Sequence, residues 1–124
     1  MRASKESYST VCASDSYGYI ETNFFIIRDT FIESKPEYWE FLNPGILIAF
    51  FAHSSNGKER AHKLLSQLEM LKSNSSLFNE TGIGYSEGML IVGYDKNGKV
   101  DRSPIGMAAS EAMKLASKNS SVAP

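Results

Sequence analysis

Gly82-Ile83-Gly84-Tyr85-Ser86-Glu87-Gly88-Met89-Leu90-Ile91-Val92-Gly93 is the stretch on which the reading of the fold turns. Its spacing predicts two short strands joined by a tight turn at Ser86-Glu87-Gly88. Met89-Leu90-Ile91-Val92 is apolar at every position, which suits a strand covered on both faces. Glycines at 82, 84, 88 and 93 leave little bulk along one side. Another backbone, a nucleotide or a second subunit can approach that side closely. A hairpin that merely turns the chain is the other reading of the same residues.

Upstream, Ala61, Leu64, Leu65, Leu68 and Leu71 recur at helical spacing, with Lys58, Glu59, Lys63 and Glu69 mostly off that stripe. They predict an amphipathic helix over 58–72, preceded by a Ser54-Ser55-Asn56-Gly57 loop. Before it, Glu37 to Leu42 and Ile46 to Phe51 flank Asn43-Pro44-Gly45, a turn signal, and so form a hairpin. The second of these runs is apolar throughout and reads as a central strand. Phe24, Phe25, Ile27, Phe31 and Ile32 give a helix over 21–33 with an apolar core face, ended by Ser34-Lys35-Pro36. Ser9 to Ser14 predicts a first strand, and Asp15 just past its end either reaches a ligand or metal or caps the next helix. Downstream, Asp95 to Lys99 is an exposed turn. Ser103-Pro104-Ile105-Gly106 leads into a helix over 107–118 whose small face, Ala109, Ala112, Met113 and Ala116, suits close packing on a sheet.

The 124 residues suffice for one domain, 1–124, with 1–8 and 119–124 expected as tails. Net charge is −1, which gives no electrostatic basis for nonspecific nucleic-acid binding. The longest apolar run, Ile46 to Ala52, is far short of a membrane span, and the first seven residues do not read as a signal peptide. Cys12 is the single cysteine, so no intrachain disulfide forms and a cytoplasmic setting is expected. His53 and His62 lack cysteine or carboxylate partners at zinc-ligand spacing.

The order of elements predicts an α+β fold with a ferredoxin-like βαββαβ core: an antiparallel sheet with helices packed on one face. In that order, four stretches resemble the catalytic domain of class III adenylyl and guanylyl cyclases. They are Ala13 to Tyr19, Phe41 to Phe50, Gly82 to Gly93 and Ile105 to Leu115. The resemblance implies a nucleoside triphosphate ligand, a dimer or pairing with another cyclase-like subunit, and cyclic nucleotide signalling. It implies cyclisation assisted by two divalent metals held by two aspartates, an asparagine that orients the ribose, and an arginine that stabilises developing charge.

Residue by residue, Asp15 matches the first metal aspartate, so Mg or Mn would be held there. Gly18 falls in the glycine-aromatic step that follows and is assigned to the nucleotide. The second aspartate position is Pro44, which has no ligand atom on its side chain; Asn43 stands beside it. Ser110 stands at the asparagine position and Lys114 at the arginine position, keeping the charge without the planar fork. Glu40 and Ser103 occupy the pair of positions that choose the base, and Glu40 suits a guanine edge. The segment between Asp15 and Pro44 is also shorter than the family's. These departures give the expectation of a degenerate cyclase-like domain that binds nucleotide or dimerises without cyclising. The alternatives are an active guanylyl or adenylyl cyclase and a ferredoxin-like interaction module with no nucleotide site.

Overall fold

The computed structural model describes residues 2–15, 24–42, 45–74, 78 and 80–118. β1 (Arg2–Ser14) is followed by α1 (Phe24–Glu33), β2 (Tyr38–Leu42), β3 (Ile46–Ala52) and α2 (Gly57–Asn74). β4 (Gly82–Tyr94) and α3 (Met107–Lys118) complete the order. The strands form one antiparallel sheet in the order β2-β3-β1-β4. This is the expected α+β architecture, with β1 and the apolar β3 at its centre.

The pleat divides the core. Val11, Ala13, Leu47, Ala49, Phe51 and Ile83 face α1 and α2, where Ile27, Phe31, Ala61, Leu64 and Leu68 meet them. Cys12, Ile48, Phe50, Leu90 and Val92 project from the opposite face against Ala108, Ala109, Ala112 and Ala116 of α3. The βαββαβ core thus keeps its two helices on one face, as expected, and α3, which follows the core, covers the other. Burying a leucine such as Leu64 contributes about 2 kcal/mol, so the regular stripe on α2 holds that helix to the sheet.

The structure corrects the expectation of a hairpin within Gly82 to Gly93. That stretch lies in one continuous strand of 13 residues, Gly82–Tyr94, not two strands and a turn. Every residue from Gly82 to Tyr94 pairs with β1, from Ser14↔Gly82 to Arg2↔Tyr94. Ser86, Glu87 and Gly88 stay in the ladder because their alternation fits the pleat and no positive φ occurs among them. The reversal comes later, where Gly98 takes φ 79° and the Asp95 carboxylate accepts the amides of Asn97 and Lys99 at 2.8 and 3.0 Å.

β1 is likewise longer than its β-branched residues suggest. Residues 2–8, expected as a tail, belong to the strand. Their pairing with β4 supplies the ladder that their composition does not advertise. On α1, Ile32 is 44% exposed and lies off the core, whereas Ile27 and Phe31, among the described side chains, fall on the face toward the sheet. The side chains of Phe24 and Phe25 lie outside the described residues, as do 16–23, 43–44 and 119–124.

Candidate functional site

A groove of about 440 Å³ opens on the α3 face of the sheet, between β2, β3, the 103–106 segment and α3. Its position follows from the packing. Glu40 pairs with Ile48 across β2 and β3, so its side chain projects toward α3. Ile105 exchanges two backbone hydrogen bonds with Ile91, at 2.7 and 3.0 Å, which fixes the 103–106 segment along the outer edge of β4. The first turn of α3 starts directly from that segment and brings Ser110 to the same space. Glu40, Ser103 and Ser110, from three separate elements, line one groove with Phe50, Met107 and Met113.

The other sequence-selected residues stand elsewhere. Asp15 follows β1, is 1% exposed, and its amide donates to the carbonyl of Gly45 at 3.1 Å. Gly45 takes φ 63° there, the left-handed region that favours glycine. Asp15 is not among the residues lining the groove, and neither is Lys114, which is exposed one helical turn beyond Ser110. Gly18, Asn43 and Pro44 lie outside the described residues.

Asp15 carries a carboxylate just past β1, and a proline at 44 offers no side-chain oxygen to a metal. Among the described residues, no three His, Cys, Asp or Glu side chains converge.

Two features escaped the sequence reading. The groove's walls include Met107 and Met113; their spacing on one helix is visible in the sequence, but only the fold shows what they face. The second is a polar chain on the α2 side of the sheet. His53 contacts Ser7 through Nδ1 at 2.7 Å and Ser9 through Nε2 at 2.8 Å. Ser9 meets the Tyr85 hydroxyl at 2.9 Å, and Tyr85 donates to Glu87 at 2.8 Å. Since Tyr85 donates to the carboxylate, its oxygen accepts from Ser9, and Ser9 therefore accepts from His53 Nε2–H. In the Nε2–H tautomer, Ser7 donates to Nδ1.

His62 packs on the same tyrosine with ring centroids 4.9 Å apart, while His53 reaches it through Ser9. Burial, reinforced by Glu87 and opposed by the Ser9 hydrogen bond, pushes the Tyr85 hydroxyl up to about 12. The hydrogen bond from Tyr85 holds the Glu87 carboxyl below its usual range, helped by Lys58 at 3.3 Å.

No protein-family model and no curated protein matches this sequence. Solved structures do match its fold. The guanylyl cyclase Cya2 superposes with a TM-score of 0.67 at 11% identity, over 97% of this chain and 74% of that one. The guanylate cyclase domain of RhGC from Catenaria anguillulae, solved in complex with GTP, gives 0.63 at 13% identity, over 92% and 74%. A dimeric guanylyl cyclase domain of the RhoGC fusion protein from Blastocladiella emersonii gives 0.63 at 15%, over 94% and 76%. The chain therefore has the fold of nucleotide cyclase catalytic domains. None of its described helices is long and apolar enough to cross a membrane.

Proposed function

We propose that this chain is a degenerate cyclase-fold domain that binds a purine nucleotide in the groove between β2 and α3 and does not cyclise it. The observation that carries this reading is the convergence of Glu40, Ser103 and Ser110 on one groove. These are the positions that the cyclase resemblance assigns to the base and the ribose. The likeness to a domain solved with GTP supports a nucleotide as ligand, and the likeness to a dimeric domain supports pairing with a second cyclase-fold chain.

Loss of cyclisation follows from the chemistry of the replacements. With proline at 44, the second metal carboxylate is missing. Ser110 cannot make the two contacts of an asparagine amide, and Lys114 carries charge without a planar fork.

The test is direct. Purified protein incubated with GTP or ATP and Mn²⁺ yields no cyclic nucleotide. A ligand present at about 100 times its dissociation constant nonetheless raises stability by about 2.7 kcal/mol. Turnover that persists through purification and disappears in Asp15→Ala overturns the reading in favour of an active cyclase. The absence of any thermal shift at saturating nucleotide overturns it in favour of an interaction module.

A further inference from the structure

We infer that the groove recognises the nucleoside part of its ligand and gains no affinity from the phosphates, with Met107 and Met113 as walls against the planar base. This rests on the reading of the groove as a nucleotide site and names which part of the nucleotide is read.

Charge is the first observation. Among the described residues lining the groove, Glu40 is the one charged side chain, and it is an acid. Lys114, the cation that the cyclase resemblance would place on phosphate, is not in the lining. The amino end of α3 opens toward the groove and contributes partial positive charge, equivalent to roughly half an elementary charge. One of its early amides, that of Ala109, already donates to the Gly106 carbonyl at 3.2 Å. A full negative charge outweighs that partial positive one. A polyanion entering beside Glu40 meets net repulsion, whereas a base edge presenting N–H donors meets an acceptor.

Apolar surface is the second observation. Met107 is 88% exposed although it lines the groove, and Met113 stands half-buried six residues along the same helix. Phe50, 1% exposed, belongs to the floor. Thioethers pack favourably on aromatic rings, and their unbranched stems adjust to the ring's position. A volume of about 440 Å³ lies within the range common for small-molecule sites. An apolar slot with an acid and two hydroxyls suits a flat, uncharged heterocycle bearing a sugar. Ser103 and Ser110 supply hydroxyls that both donate and accept, as a ribose or a base edge requires.

The experiment is calorimetry on the full chain with EDTA present, using guanosine, adenosine, GTP, ATP and inorganic tripolyphosphate as probes. At least one nucleoside binds within about threefold of its own triphosphate, and tripolyphosphate does not bind. Met107→Ala weakens the nucleoside by roughly five- to tenfold and leaves the melting temperature unchanged, because the side chain is exposed in the free protein. A triphosphate that binds tenfold or more tighter than its nucleoside overturns the inference while leaving the groove a nucleotide site. Unchanged nucleoside affinity in Met107→Ala has the same consequence. If neither nucleosides nor triphosphates bind, the nucleotide reading of the groove fails and the inference fails with it.

Discussion

Gly84 of β4 lies directly beneath the backbone of Ala112 in α3. A Cβ built on Gly84 would sit 2.0 Å from the Ala112 carbonyl oxygen and 2.6 Å from the Ala116 amide nitrogen. Both neighbours are helix backbone, so neither can move aside as a flexible side chain would. At Gly88 the nearest atom to such a Cβ is the Ala108 methyl, at 3.0 Å. Gly84→Ala is therefore expected to cost about 2–3 kcal/mol or more, and Gly88→Ala less than half of that, in urea unfolding. Equal costs at the two positions would contradict this account of the glycines.

The Tyr85 chain gives a pH prediction with a definite sign. The folded Tyr85 hydroxyl is raised from 10.0 to about 12. The stability this contributes is fully present below pH 10 and is lost as pH rises through 12, because the unfolded chain ionises first. Cys12, pushed up to about 12 by burial, and Tyr8, raised by burial and by Tyr94, act with the same sign. Comparison with Tyr85→Phe isolates Tyr85. The variant has lower stability at neutral pH, from the lost Glu87 and Ser9 hydrogen bonds, and a shallower decline between pH 10 and 12. Parallel pH profiles for the two proteins would show that Tyr85 does not titrate differently in the folded state.

Arg60 clamps the start of α2 to the strand entry before β2. Its guanidinium donates to both carboxylate oxygens of Glu37, at 2.9 and 3.1 Å, to the Ser55 carbonyl and to the Lys35 carbonyl. Glu37 also accepts the Ala52 amide at 2.7 Å and the Ser55 hydroxyl at 2.9 Å. Both side chains of the ion pair are about three-quarters covered. Arg60→Ala is expected to cost about 1–2 kcal/mol by denaturant unfolding. Arg60→Lys should recover less than half of this, since an ammonium cannot span Glu37 and the two carbonyls together. Full recovery by lysine would assign the effect to charge alone.

Much of this fold was legible in local pattern. The leucine stripe of α2, the alanine face of α3 and the two strands that pair as β2 and β3 each carry a pattern that packing then respects. The Gly82 stretch shows where pattern misleads. Glycine in a strand marks either a turn or a close approach, and the choice depends on whether a partner backbone arrives. α3 arrives from the far end of the sequence, and β1 supplies an unbroken partner along the whole length. The N-terminal half of β1 was illegible for the same reason, since Ser4, Lys5, Glu6 and Ser7 form a strand through pairing and not through propensity.

The candidate site was partly legible. Glu40, Ser103 and Ser110 could be selected only through the cyclase resemblance, and the sheet register and the 103–106 segment then bring them to one groove. The methionine wall and the Ser7–His53–Ser9–Tyr85 chain could not be selected, because residues far apart in sequence meet there and no local period announces them.

The central claim is that the groove between β2 and α3 holds a nucleotide that is left uncyclised. It is tested most directly by NMR of the uniformly ¹⁵N-labelled chain titrated with guanosine or adenosine monophosphate. The account predicts saturable amide shifts concentrated at Glu40, Ser103, Ile105, Met107, Ser110 and Met113, with the bound nucleotide recovered unchanged. An unperturbed groove at saturating ligand, or shifts confined to other surfaces such as the 53–55 turn, would contradict it.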